Sequence, residues 1–183
     1  MSVAGAAVPA PLIGVTRAGY DVPVIDEPAV RAAAGILLLA GAVPFALAAT
    51  TGTVRPLQPF AVLVMLDMAL RVTVGDRWSP TLALGRLIVR RQTPEWVGAP
   101  QKELAWWLGF TLAASACAST GLLGAPLEVT LALCGLCLSL LFVETAFGIC
   151  VGCTLHRALR RTAPAHCPGG ICATDRQPGA SDG

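Results

Sequence analysis

The sequence predicts an all-α integral membrane protein with four transmembrane helices and a short interfacial helix between spans two and three. Three observations predict it. Of the 183 residues, 55% are hydrophobic and only 13% charged, with a mean hydropathy of +0.68; soluble domains carry about 25% charged residues. Four apolar runs approach or exceed the roughly 20 residues needed to cross a bilayer core. Lys and Arg fall almost entirely in segments that would share one side of the membrane. The small net charge of +2 gives no sign of a nucleic-acid partner.

Residues 1–25 hold Pro9, Pro11 and Pro23 and lack a basic cluster ahead of an apolar run. They read as a disordered cytoplasmic arm rather than a cleavable signal peptide. The first span is Val30 to Ala49, with Asp26 as N-cap, Glu27 and Pro28 in the first turn, and Pro44 as a late kink. The second is Leu57 to Val74, carrying Asp67 and Arg71 in otherwise apolar sequence. In the polar stretch that follows, Pro80 to Arg91 reads as a short interfacial helix, with Leu82, Leu84, Leu87 and Ile88 apolar and Arg86, Arg90 and Arg91 basic. The third span is about Glu103 to Leu123. Its small residues Ala113, Cys117 and Gly121 are spaced for close packing. After a turn at Gly124 to Pro126, the fourth span runs from about Leu127 to Leu155, long enough to tilt or protrude. Residues 26–161 thus form one membrane domain. Residues 162–183, rich in Pro, Gly and Ala, read as a disordered cytoplasmic tail.

Positive charge gives the orientation. The loop between spans one and two holds only Arg55, and that between spans three and four holds none. The segment between spans two and three holds Arg77, Arg86, Arg90, Arg91 and Lys102; the C-terminal side holds Arg157, Arg160, Arg161 and Arg176; the N-terminal side holds Arg17 and Arg31. Basic residues mark the cytoplasmic face. Both termini are therefore expected inside, in a bacterial inner membrane, and four spans give the same parity. Trp78, Trp96, Trp106 and Trp107 fall near the inner boundary, as an aromatic belt would.

Two groups of residues could carry chemistry. The first is cysteine. Cys150 and Cys153 form a C-x-x-C at the cytoplasmic end of span four, beside Arg157, Arg160 and Arg161. There a thiolate is accessible and can be stabilised by charge. The dipole at a helix C-terminus opposes ionisation, so the arginines must offset it, or Gly148 and Gly152 must break the helix. His156 extends the motif to C-x-x-C-x-x-H, so Cys150, Cys153 and His156 are the alternative soft-metal ligands. Cys134 and Cys137 form a second pair deep in the span, among Leu131, Leu133, Leu138 and Leu140, and read as packing. His166, Cys167 and Cys172 lie in the tail, where sequence change is readily tolerated. The second group is Asp67, Arg71 and Glu144. Ionisable residues inside a bilayer are costly and need partners. Asp67 and Arg71 are spaced i, i+4, and the three are expected to form one buried network joining spans two and four.

At these residues the chain resembles the domain of unknown function 4395 family, a group of small bacterial membrane proteins. The resemblance rests on Ile25-Asp26 with Arg31, on Asp67 with Arg71, on Ser79-Pro80, and above all on Glu144 through Phe147-Gly148-Ile149-Cys150-Val151-Gly152-Cys153. It covers about residues 24–160. Cys134, Cys137 and the tail cysteines fall outside the pattern. The resemblance implies an architecture and a C-x-G-C motif but no activity, and an association with sulfur-transfer and thiol-redox proteins. Quinone-linked disulfide-forming enzymes also use four helices and a C-x-x-C, but on the outer face, so their function is not carried over.

The favoured expectation is a thiol or sulfane-sulfur function at the cytoplasmic face, with Cys150 and Cys153 as the reactive pair and a cytosolic thioredoxin-like or rhodanese-like protein as partner. The alternatives are a small transporter or soft-metal-binding protein, and a structural subunit without chemistry. The other implied partner is the lipid bilayer, and no cofactor is implied.

Overall fold

The computed structural model describes residues 11–148. In chain order they form β1 (Val24–Asp26), α1 (Glu27–Thr51), α2 (Leu57–Thr73), a 3-10 turn (Asp76–Trp78), α3 (Pro80–Val89), β2 (Trp96–Gly98), α4 (Ala99–Gly121) and α5 (Leu127–Phe147). The long helices make a bundle in which α1 packs along α5, α5 along α4, and α4 along α2; α3 lies against α1. The core between them is apolar, built from residues such as Val30, Leu37, Val64, Met68, Trp106 and Leu141.

Two helices, α1 and α5, are long and apolar enough to cross a membrane, and only 28% of the apolar window of each is buried within the protein. A core helix of a soluble domain would be mostly covered. Here Leu39, Val43 and Leu47 on α1, and Leu136 and Phe142 on α5, are exposed. The 17 residues of α2 reach about 25 Å at 1.5 Å per residue. Its outer face is likewise apolar (Val62, Leu63, Leu66), while Asp67 and Arg71 point inward and are buried.

The small α3 falls within the short helix expected from Pro80 to Arg91, and it buries one side against α1. Leu82 is fully buried, whereas Leu84, Leu87 and Ile88 are exposed, and Arg86 turns to Asp76. The reason lies at Gly85: a Cβ there would collide with the Ala29 carbonyl oxygen of α1. Glycine thus lets the two backbones come together.

Residues 11–25 differ more sharply from the disordered arm that composition implies. Val15 bridges to Val24, β1 pairs antiparallel with β2 in the register Val24 to Gly98, Ile25 to Val97 and Asp26 to Trp96, and Ile13, Val24 and Ile25 are buried. A short apolar strand can be stabilised by a partner distant in sequence, which local composition does not reveal. The ribbon also starts α1. The Asp26 side chain makes no capping hydrogen bond; instead the Glu27 backbone N–H donates to the Glu95 carbonyl at 2.9 Å. Helix α1 continues through Pro44 to Thr51.

Helix α5 is shorter than the span expected. It stops at Phe147, and Gly148 adopts φ +64 as a left-handed C-cap, its N–H donating to the Glu144 carbonyl. This is the ordinary way a glycine ends a helix. Helix α4 begins earlier than expected, at Ala99, which brings Lys102 into its first turns.

Candidate functional site

Asp67 and Arg71 lie one turn apart on α2 and form an ion pair, Arg71 Nη2 to Asp67 Oδ2, at 2.7 Å. Both are almost fully buried, so every lone pair and donor needs a partner. The start of α3 supplies them. The Ser79 hydroxyl donates to Asp67 Oδ1 at 2.7 Å and accepts from Leu82 N at 3.2 Å and Arg71 Nε at 3.1 Å. Ser79 is therefore the N-cap of α3 and a member of the charge network at once. The Thr81 hydroxyl donates to Asp67 Oδ2 at 2.7 Å and accepts from Arg71 Nη2 at 2.6 Å. The Arg71 guanidinium also lies 5.1 Å from the centre of the Trp106 ring. Trp106 is buried here rather than set in an interfacial belt, while Trp78 and Trp107 are exposed.

Glu144 on α5 is held by Lys102 of α4, with Nζ donating to Oε1 at 2.7 Å. The same ammonium lies 2.7 Å from Glu27 Oε2 at the start of α1. Glu27 and Lys102 are each 1% exposed. The Lys102–Glu27 approach is a short ion pair, and Glu27 Oε1 is buried without a hydrogen-bond partner. Three helices are thus tied by one lysine between two carboxylates. The burial of Lys102 was not legible from its place in a polar, basic segment.

The two networks face a common cavity of about 50 Å³ within the bundle, lined by Arg71 and Glu144 together with Met68, Trp106, Cys137 and Leu141. Asp67 and Arg71 are directly bonded; Glu144 shares the cavity with Arg71 but takes its ion pair from Lys102. Cys134 is buried against Ala48, Leu57 and Ala116, with Cys137 partly buried one turn on. Both are free thiols, as is Cys117. Among the described residues, no group of three or more His, Cys, Asp or Glu is placed to hold a metal ion.

Cys150, Cys153, His156, His166, Cys167 and Cys172 lie outside the described residues. What precedes them is well defined. Arg31, one turn into α1, donates from Nη2 to the Thr145 carbonyl at 3.1 Å, and its guanidinium is 3.2 Å from where a Cβ on Gly148 would lie. A cation therefore covers the C-terminal end of α5, where the unpaired carbonyls concentrate negative potential.

Fold and site together define a helical protein that exposes apolar side chains on its long helices and buries Glu27, Asp67, Arg71 and Lys102 between them. The sequence profile of the domain of unknown function DUF4395 matches residues 25–161, and the chain belongs to that family. No curated protein and no solved structure matches it.

Proposed function

We propose that this is a bacterial inner-membrane protein with four transmembrane helices, α1, α2, α4 and α5, and both termini in the cytoplasm, and that it handles thiols or sulfane sulfur through Cys150 and Cys153. Support for the spans comes from polarity. Leu39, Val43, Leu63, Leu66 and Phe142 lie outside and Glu27, Asp67, Arg71 and Lys102 inside, the arrangement that suits hydrocarbon as solvent. The orientation rests on the Lys and Arg distribution, with the short α1–α2 and α4–α5 connections outside.

The observation that carries the thiol reading is Arg31 at the end of α5. Cys150 follows Gly148 by two residues. A helix C-terminus raises the cost of a nearby thiolate, and a fixed cation there lowers it. The left-handed Gly148 cap ends α5 two residues before Cys150 in the sequence. In sulfur transfer, a thiolate of the pair attacks the outer sulfur of a protein persulfide. The donor's S–S bond breaks, its thiolate leaves, and the persulfide remains on the cysteine, with no external oxidant consumed. The donor is a cytosolic rhodanese-like or thioredoxin-like protein.

Labelling with a membrane-impermeant maleimide in inverted and right-side-out vesicles, before and after reduction, tests both parts. Cys150 and Cys153 should label from the cytoplasmic side only. Reporter fusions after Leu123 and Arg161 should read outside and inside respectively. An outward signal at Arg161 would overturn the topology and move the pair to the oxidising side. A thiol pair that binds zinc in the purified protein would replace sulfur transfer with metal binding through Cys150, Cys153 and His156.

A further inference from the structure

A second site lies away from both charge networks, where the N-terminal ribbon meets the 3-10 turn and α3. It is a cleft of about 540 Å³ whose polar lining is Arg17, Asp26, Asp76, Arg77, Arg86 and Trp96. That volume is in the range of small-molecule sites. Much of the negative charge is already compensated: Asp76 is paired with Arg86 and accepts the Gly14 N–H at 3.1 Å. Burial pushes the Asp26 carboxyl above its usual range, against the backbone hydrogen bond from Glu95 and the charges of Arg86 and Arg17. With three arginines facing two aspartates, the lining is net positive.

Two of the arginines are arranged to receive an anion. The Arg17 guanidinium sits 3.7 Å above the centre of the Trp96 ring. Stacking holds a guanidinium by its face and leaves the N–H donors around its edge available. Arg77 is exposed and, among the described residues, has no ion-pair partner. Arg17 and Arg77 both line the cleft, and a phosphate group offers them more acceptor oxygens and more negative charge than a carboxylate does. Leu12, Val15 and Trp78, near the cleft in the chain, are exposed apolar residues, which suits a headgroup-level position at the membrane surface. We propose that this cleft binds a phosphate group, carried by an anionic phospholipid headgroup or by a soluble phosphate ester.

The test is titration of the purified full-length protein in detergent with phosphatidylglycerol and, separately, with glycerol 3-phosphate, read by thermal midpoint and by native mass spectrometry. At least one ligand should raise the midpoint and remain bound. Arg17→Ala and Arg77→Ala should each weaken binding roughly tenfold, the loss expected for one charge-assisted contact. The control Arg90→Ala/Arg91→Ala, exposed on the same segment but outside the cleft, should leave it unchanged. Binding of phosphatidylglycerol alone identifies the lipid as the source; a response to glycerol 3-phosphate identifies the phosphate group itself as sufficient. Should Arg17→Ala fail to fold, Arg77→Ala carries the test. No binding of either ligand, or equal weakening by the Arg90/Arg91 control, would overturn the proposal, the latter by reducing it to general surface attraction.

Discussion

Lys102 donates to Glu144 at 2.7 Å across 42 residues of sequence, and the pair fastens α4 to α5 at the end of the bundle where α1 begins. With Glu27 on the far side of the same ammonium, Lys102 touches one fully buried carboxylate, Glu27, and one partly buried carboxylate, Glu144. Replacing it would strip the ion pair from both and strand Glu27 in a low-dielectric interior. Lys102→Met should therefore cost roughly 3–5 kcal/mol of unfolding free energy or prevent accumulation in the membrane, as expected when one partner of a buried pair is removed. Glu144→Gln, which retains an acceptor and leaves the Lys102–Glu27 pair, should cost clearly less. Denaturant unfolding of the two variants in the same detergent compares them, and equal losses would mean that Glu27 contributes little.

Ser79 joins α3 to α2 through a single hydroxyl that caps one helix and bonds the Asp67 carboxylate of the other. Ser79→Ala removes both roles, so its cost should exceed the roughly 1 kcal/mol of a lost cap and approach about 2–3 kcal/mol once the unmet Asp67 oxygen is included. Ser79→Asp would restore a cap acceptor but set a second carboxylate against Asp67, and should be worse than alanine. Thermal unfolding of the pair gives the order; aspartate better than alanine would show that capping dominates.

Asp26 gives a pH dependence. Its Oδ1 is buried without a partner, and burial raises its pKa. The folded state therefore favours the protonated carboxyl. That contribution is complete below the unfolded pKa and is lost as pH rises through the higher folded pKa. Asp26→Asn should thus raise the unfolding midpoint at neutral pH and converge with the parent as pH falls below the ordinary carboxylate range. A midpoint difference that stays constant across that range would assign the effect to something other than titration.

The two cysteine pairs should behave differently. Cys134 packs in an apolar cluster with Ala48, Leu57 and Ala116, so Cys134→Ala with Cys137→Ala should alter stability slightly, by about 1 kcal/mol for small buried truncations, and leave thiol chemistry intact. Cys150→Ser or Cys153→Ser should abolish sulfur loading while the protein stays in the membrane. The assay is persulfide labelling after incubation with a loaded rhodanese. Equal loss from both pairs would mean that the thiol path runs further up α5, and full loading of a Cys150→Ser/Cys153→Ser variant would leave a structural role.

What the sequence determined by itself is what depends on near neighbours. Continuous apolar runs marked α1 and α5, because a helix satisfies its own backbone and needs only length and hydropathy to be recognised. The Asp67–Arg71 pair was legible because i, i+4 residues meet on any helix. Gly148 was identified as a residue that could break the fourth helix. Only the tertiary structure decided the rest, since it turns on contacts between residues far apart in the chain. Lys102 looks like one more basic residue of a cytoplasmic loop until α1 and α5 bring Glu27 and Glu144 to it. Residues 11–25 read as a loose arm until β2 offers them a strand to pair with. That α3 packs against α1 was decided by a close approach of backbones, with Gly85 against the Ala29 carbonyl, a contact between residues far apart in the chain.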